Sequence, residues 1–425
     1  MLNVHQSQVR LRADPSRVVV RPFHLEWNAF APQGRIQQLV DHVRAMDMRT
    51  ARTELALVFH DFESRHWQTH QIFMQRYDEI EAQLELDGMR IREEKKLLIG
   101  AYFCHEYSFA AAALMNPSVT IHPDQSELSQ GCVRIVLSMR AVGEGHISSI
   151  VFREGVVMPG RKFELTPQPN CMTAANTSSP VSHGNDGAVS VHRHPDSSLS
   201  GTVIFPVTEV QCNGLEDLRL TRLNGGCLEE EWVGTYTAYS GRDIRSELLR
   251  TTDFVKFDLI PITGSAGRNK GLALFPKCTD GKYRMIGRHD GQNLYPMESD
   301  DITHWEDGVS LLSPRFPWEL IQIGNCGPPI EIDEGWLLLT HGLGAMRKYS
   351  IGAVLLDKDN PAKVLGRTSQ PILSAADEDR EGYVPNVVYN CGGMRVGDDI
   401  FLPHGVADSS VAFAFVAIRD LLGAM

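Results

Sequence analysis

The chain has 425 residues, 42% of them apolar and 22% charged, and a formal net charge of −12. That length admits two or three domains or one large repeat fold, and the composition is that of an ordinary globular protein. A negative balance of this size excludes a chain-wide electrostatic footprint for nucleic acid or for an anionic membrane surface.

The first residues lack a basic stretch followed by an apolar one, and no apolar run is long enough to span a bilayer. Cytoplasm is therefore the expected compartment, with no membrane and no nucleic acid among the partners. The eight cysteines include no C-x-x-C pair. In a chain without an export signal this argues against a structural zinc site and against a disulfide framework.

Residues 1–34 form a mixed N-terminal segment, in which Arg17-Val-Val-Val-Arg21 has the composition of a strand. From Arg35 the period changes. Ile36, Leu39, Val40 and Val43 fall at i, i+3, i+4 and i+7, the stripe of an amphipathic helix. Helical patterning is expected to continue to about Ala113, through an Ala-rich run at 110–113. Residues 35–115 are thus expected to form a helical extension, a candidate oligomerisation element.

At Asn116-Pro117-Ser118 the pattern turns to short apolar runs broken by Gly, Asp and Asn. Examples are Val133–Arg140, His146–Phe152, Trp232–Tyr239, Lys282–Arg288, Gly335–Gly342 and Asp399–Asp408. Many short strands with turn signals predict an all-β region over 116–425. A looser repeat overlies it, opening at Asn116-Pro117, Glu216-Asp217, Asn269-Lys270, Gly327-Pro328 and Pro385-Asn386. The last four openings are 50 to 60 positions apart. Five units at that period predict a five-bladed β-propeller, whose inner strands ring a central channel. The wide gap between the first two openings holds a Ser-, Asn- and Gly-rich stretch at about 171–201, expected to be a long loop. Its His183, His192 and His194 have no carboxylate or Cys spacing to support a metal site.

The stretch Leu215-Glu-Asp-Leu-Arg219 stands out. Two adjacent carboxylates and a cation are costly to desolvate, so within a β-scaffold they must be paired or face a cavity. Strict alternation along a strand would put Asp217 and Arg219 on one face and Glu216 on the other. Such a group is either a structural ion pair or an acid beside an anion clamp. In a propeller, charged residues at the strand starts converge on the channel mouth. The candidates are Arg140, Asp217, Arg219, Arg242, Arg245, Lys270, Arg288, His289, Asp290, His341 and Asp408. Cations outnumber carboxylates among them, which suits an anionic ligand.

These residues resemble glycoside hydrolase family 130, the inverting β-mannoside phosphorylases and related β-mannosidases. The resemblance covers about residues 107–420. It is carried by Asn116-Pro-Ser118, Glu216-Asp-Leu-Arg219, Tyr236-Thr-Ala-Tyr239, Asn269–Pro276, Gly281–Arg288, Cys326-Gly-Pro-Pro-Ile330, Tyr349–Asp357, Val384–Tyr389 and His404–Asp408. It implies a five-bladed propeller and an enzyme that needs no cofactor and no metal. Inorganic phosphate is the implied co-substrate. By position, Asp217 resembles the catalytic acid, which in the phosphorylases reaches the glycosidic oxygen through a hydroxyl of the mannosyl ring. Arg219, Arg242, Arg245, Lys270 and His341 resemble phosphate-binding positions. Asn116, Arg140, Glu216, Tyr239, Arg288, His289 and Asp408 resemble substrate-binding ones. Three departures are Leu218 where the family usually has Pro, Gly271 where it often has Asp, and His289 where it often has Pro.

Attack by phosphate needs a cationic cradle, whereas attack by water needs a second carboxylate as base, about 6.5–9.5 Å from the acid. The retained cations favour a phosphorylase that yields mannose 1-phosphate and an acceptor sugar. The alternative is a β-mannosidase with Glu144, Glu247 or Asp290 as base. A third reading is a non-catalytic sugar-binding propeller. The expected substrate is a β-linked manno-oligosaccharide or a mannosyl-glucose, with a homo-oligomer forming through the helical extension.

Overall fold

The structure is a computed structural model that describes residues 2–25, 34–84, 90–177, 187–224 and 230–425. His183 and the middle of the expected 171–201 loop lie outside them. The chain divides into two compact units. The larger comprises Met1–Pro15, Phe109–Gln168 and Ala175–Met425, and the smaller Ser16–Ser108 with Pro169–Ala174. Among the described residues no helix is long and apolar enough to cross a membrane.

Among its described residues the smaller unit holds the helices Arg35–Ala45, Met48–Phe62, Thr69–Gln83 and Glu93–Tyr102. The first buries Ile36, Val40 and Val43, as its period predicts. The second is capped by Asp47, whose carboxylate accepts from the backbone N–H groups of Arg49 and Thr50. Such a cap satisfies donors that the helix start leaves unpaired. These stripes meet Leu55, Phe73, Tyr77, Leu97 and Leu98 in one apolar core. The helical pattern stops at Tyr102, not Ala113. Cys104–Ser108 is a strand paired with Val18–Pro22, and Ala113 begins the next strand. Alanine's helix preference is a fraction of a kcal/mol per residue, and the burial of Ala110 and Ala113 overrides it.

The larger unit is built of antiparallel strand groups that follow one another along the chain. The first holds Ala113–Ile121, Val133–Val142 and Ser148–Met158. Gly214–Leu223, Glu231–Tyr239, Ile244–Thr251 and Lys256–Pro261 form the second, and Ala273–Leu274, Tyr283–Gly287 and Tyr295–Ser299 the third. Next come Gln322–Asn325, Gly335–Leu343, Tyr349–Leu356 and Val364–Arg367. The last holds Val388–Tyr389, Asp399–Val406 and Ser410–Ala417, with Val4–Arg12 from the chain start added antiparallel to its edge. That added strand was not foreseen in the sequence.

Apolar clusters join each group to the next. Val136 and Phe152 of the first pack with Leu218 and Leu220 of the second. Val233 and Leu248 pack with Leu274 and Met285 of the third. Ile286 packs with Leu338 and Val354 of the fourth, and Leu339 and Ile351 with Ile400 and Val416 of the fifth. Strands packed on both faces read as near-continuous apolar runs, which is why Gly335–Leu343 is buried throughout. The fifth group returns to the first through backbone bonds, Cys391 N–H to Pro117 O at 2.8 Å and Val119 N–H to Gly392 O at 3.2 Å.

Among the described residues six cysteines are free. Cys278 is disulfide-bonded, although the sequence argued against a disulfide framework.

Candidate active site

Each of the five predicted openings contains or adjoins a residue with left-handed backbone. These are Asn116 (φ 49°), Asp217 (57°), Gly271 (82°), Gly327 (120°) and Asn386 (63°). For Gly this conformation is free of strain, and Asn and Asp tolerate it better than other residues. At Asp217 it coincides with a bulge. Glu216 pairs with Thr237 and Arg219 with Thr235, so two residues face one on the partner strand. The same slip occurs at Asn116, between the pairs Met115–Arg140 and Ser118–Ser138.

The bulge corrects the alternation expected from the sequence. Leu218 turns into the apolar core, while Glu216, Asp217 and Arg219 all line one cavity of about 290 Å³. Leu218 thus keeps the left-handed turn where the family's proline would stand. The cavity also gathers Asn116, Arg140, Lys270, Arg288, His341 and Asp408 from the sequence-based set.

Its walls differ in charge. Around Arg140 lie the carboxylates. The guanidinium is half-buried and donates to Ser148 Oγ at 2.8 Å and to Glu216 Oε1 at 2.7 Å, and its Nη1 lies 3.6 Å from Asp217 Oδ1. Asn116 donates its amide to Asp217 Oδ1 at 2.7 Å. Burial alone would push the Asp217 carboxyl up, but Arg140, Arg219, the Asn116 hydrogen bond and Lys270 together hold it below its ordinary value. Glu216 moves the other way, because burial outweighs the pull of Arg140. Asp408 is pushed up to about 6 by burial and by the Asp217 charge. Of three neighbouring carboxyls, Asp217 therefore carries its charge most firmly.

The other wall is cationic. Arg219, buried, donates to the Asp217 carbonyl at 2.9 Å and to the Tyr389 hydroxyl at 2.8 Å. His341 shares a 3.1 Å hydrogen bond with the Asn325 carbonyl through Nδ1. A carbonyl only accepts, so Nδ1 carries the proton and Nε2 faces Arg288 Nη1 at 3.4 Å. Burial first, then Arg288 and Arg219, push the His341 imidazole well down, so it is neutral. Asn325 also donates to the Gly271 carbonyl at 2.6 Å, fixing the loop that carries Lys270. Gln322, its amide donating to Gly291 O, accepts from Arg288.

Five predicted residues, Asp290 among them, stand outside the cavity lining. Arg245 is spent on Glu247, at 2.6 Å. Arg242 is exposed in the turn at 240–243. The Tyr239 hydroxyl donates to Gly241 O, and His289 stacks on Tyr295 with Nε2 accepting from Gly308 N–H. The carboxylates considered as a hydrolytic base are occupied or exposed. Glu247 is buried and bonds Tyr236, Gln211 and Arg245. Asp290 caps its own turn, and Glu144 is exposed on another. The sequence did not single out Gln322, Arg347, Tyr349 or Tyr389, which also line the cavity. Tyr349 and Tyr389 bound two of the quoted motifs, and that was the available signal.

A family described as beta-1,4-mannooligosaccharide phosphorylase matches residues 190–425. The chain belongs to glycoside hydrolase family 130. It is 33% identical to a 1,2-beta-oligomannan phosphorylase of a Thermoanaerobacter species, over 52% of this chain and 75% of that one. It is 31% identical to a beta-1,2-mannobiose phosphorylase of Listeria innocua, over 52% of this chain and 62% of the relative. The solved structure of a Listeria innocua beta-1,2-mannobiose phosphorylase, in complex with beta-1,2-mannobiose, superposes with a TM-score of 0.52. There the identity is 22%, and 73% of this chain and 91% of the other are covered. Family 130 membership thus rests on sequence, and the structural likeness shows a shared fold.

Proposed function

We propose that this chain is an inverting β-mannoside phosphorylase, with a five-bladed propeller as its catalytic domain. The observation that carries the chemistry is the division of the cavity. Glu216 and Asp217 lie against Arg140, whereas among the described residues Arg219, Lys270 and Arg288 form no ion pair with a carboxylate and leave their charges, with His341, to the cavity. Phosphate brings its own negative charge and needs donors, which that wall supplies. Water would need a base there. The five left-handed openings, and the apolar contacts from each strand group to the next and back to the first, support the propeller.

In the proposed reaction Asp217 gives its proton to the glycosidic oxygen, a phosphate oxygen bonds to C1 from the opposite face, and the C1–O bond breaks. Mannose 1-phosphate and an acceptor sugar result, with C1 inverted. Asp217 is ionised in the free site and must gain a proton first. Phosphate on Arg219 and Lys270 offsets two of the charges that hold the carboxyl down, and the sugar expels water. Burial, the largest influence on Asp217, then raises its pKa. No cofactor takes part.

The decisive test is incubation with β-1,2-, β-1,3- and β-1,4-mannobiose and mannosylglucose, with and without phosphate. Mannose 1-phosphate formed only with phosphate is the expected result. Free mannose released at the same rate without phosphate would replace this reading with the hydrolase.

A further inference from the structure

The cavity explains how a mannosyl unit and a phosphate are held, but not what receives the leaving sugar. The proposal below rests on the phosphorylase reading. Tyr383 is 52% exposed. A lone exposed tyrosine needs no explanation, but this one is held in place. Its hydroxyl lies 3.3 Å from His146 Nδ1, and the two rings are 5.9 Å apart at 39°. Neither ring is part of the cavity lining, but both are carried by segments that adjoin residues on its carboxylate side. Val384 N–H donates to Ala407 O at 3.0 Å, and Gly382 packs so closely on Ala407 that a side chain there would collide with it. These contacts set the segment that carries Tyr383 against the turn that carries Asp408.

His146 lies in the turn closing the hairpin of Val133–Val142 and Ser148–Met158. One strand of that hairpin carries Arg140, and the other begins at Ser148, which accepts from Arg140. The turn is itself unusual, since His146 is left-handed at φ 60°. A non-Gly residue in that conformation is uncommon. The two rings therefore bridge two segments, each anchored to a residue that flanks Asp217. Those segments belong to the side of the cavity that holds Asp217, the proposed proton donor. His146 falls outside residues 190–425, so the family match does not reach it.

We infer that Tyr383 and His146 form a stacking platform for the acceptor pyranose, the sugar that leaves in phosphorolysis and attacks in the reverse reaction. An aromatic ring offers an apolar face to the C–H groups of a pyranose, and the shared hydrogen bond fixes that face before the sugar arrives.

The experiment compares the wild type with Tyr383→Ala, His146→Ala and Tyr383→Phe in both directions. Tyr383→Ala should raise the acceptor KM in synthesis about tenfold. The KM for phosphate, and that for mannose 1-phosphate, should stay within about twofold, because neither touches the platform. His146→Ala should shift the acceptor KM in the same direction by less. Tyr383→Phe keeps the ring but loses the hydrogen bond to His146, so its acceptor KM should lie between the wild type and Tyr383→Ala. An unchanged acceptor KM in a folded Tyr383→Ala protein overturns the platform. So does a phosphate KM that rises in step with it. Calorimetric titration of mannobiose without phosphate separates this from the parent reading. If the wild type binds mannobiose and Tyr383→Ala weakens it, but neither turns over with phosphate, the phosphorylase reading falls and the platform stands. If the wild type binds no β-mannoside, both fall.

Discussion

Replacing Asp408 by Asn should make the protein more stable and less active, and pH should separate the two effects. Asp408 is part-buried and ionises at about 6, above the 3.8 ordinary for aspartate, because of burial and the nearby charge of Asp217. Between those values the folded protein holds a proton that the unfolded chain has released. Stability therefore falls as pH rises from about 4 to about 6, and the loss is complete above that window. The full shift corresponds to about 3 kcal/mol. Solvent screening at a part-buried position brings the expected gain from Asp408→Asn to about 1–2 kcal/mol at pH 8. Below pH 4 the wild-type carboxyl is neutral too, and the gap should close. Urea unfolding of both proteins at pH 8 and pH 4 measures it. A variant no more stable than the wild type at pH 8, or a gain independent of pH, would refute the electrostatic account. Activity should fall at least tenfold, since the side chain lines the cavity.

Asp217→Asn should lower kcat by about 10³ while circular dichroism stays unchanged. A residual rate within tenfold of the wild type would remove Asp217 as the acid. Arg219→Met should raise the phosphate KM by about 10- to 100-fold and the mannobiose KM far less, a split read from initial rates. His341 should show no protonation between pH 5.5 and 8 in nitrogen chemical shifts, because burial and two guanidinium groups keep it neutral. A titration near 6.5 would contradict that. Gly100→Ala should destabilise the helical unit by about 1–3 kcal/mol or more, since a methyl there would meet the Phe73 carbonyl oxygen. Thermal unfolding with no change in midpoint would count against that packing.

Much of this was legible in the sequence because it rests on local signals. The period of Ile36, Val40 and Val43 marks a helix, and the chain order of apolar runs marks the strand groups. Two kinds of information were not local. The pairing of Val4–Arg12 with Ser410–Ala417 joins the two ends of the chain, and nothing in either segment names the other. The spending of Arg245 on Glu247 depends on alternate side chains of one strand sharing a face, which says nothing of whether that face meets the cavity. Arg219 and Arg245 read alike as cations near strand starts, and only the fold tells them apart.

The misjudged direction of Glu216 carries the most physical content. Alternation holds while the ladder is regular, and a single left-handed residue breaks it. Asp217 takes that conformation, which lets three charged side chains in four positions enter one cavity while Leu218 alone goes to the core. The repeat of the slip at Asn116 places an amide against Asp217 from the neighbouring strand group. A strictly alternating strand would have left Glu216 without Arg140, and Arg140 with one carboxylate instead of two. Asp217 would then share Arg140 with no neighbour, and its proton would be still harder to hold. The bulge therefore sets the acidity of the site as well as its shape. Asn tolerates left-handed backbone much as Asp does, so Asp217→Asn adds no strain at this position, whereas Asp217→Ala does. Activity lost equally in both, with stability lost further in the alanine variant alone, is the signature that this argument requires.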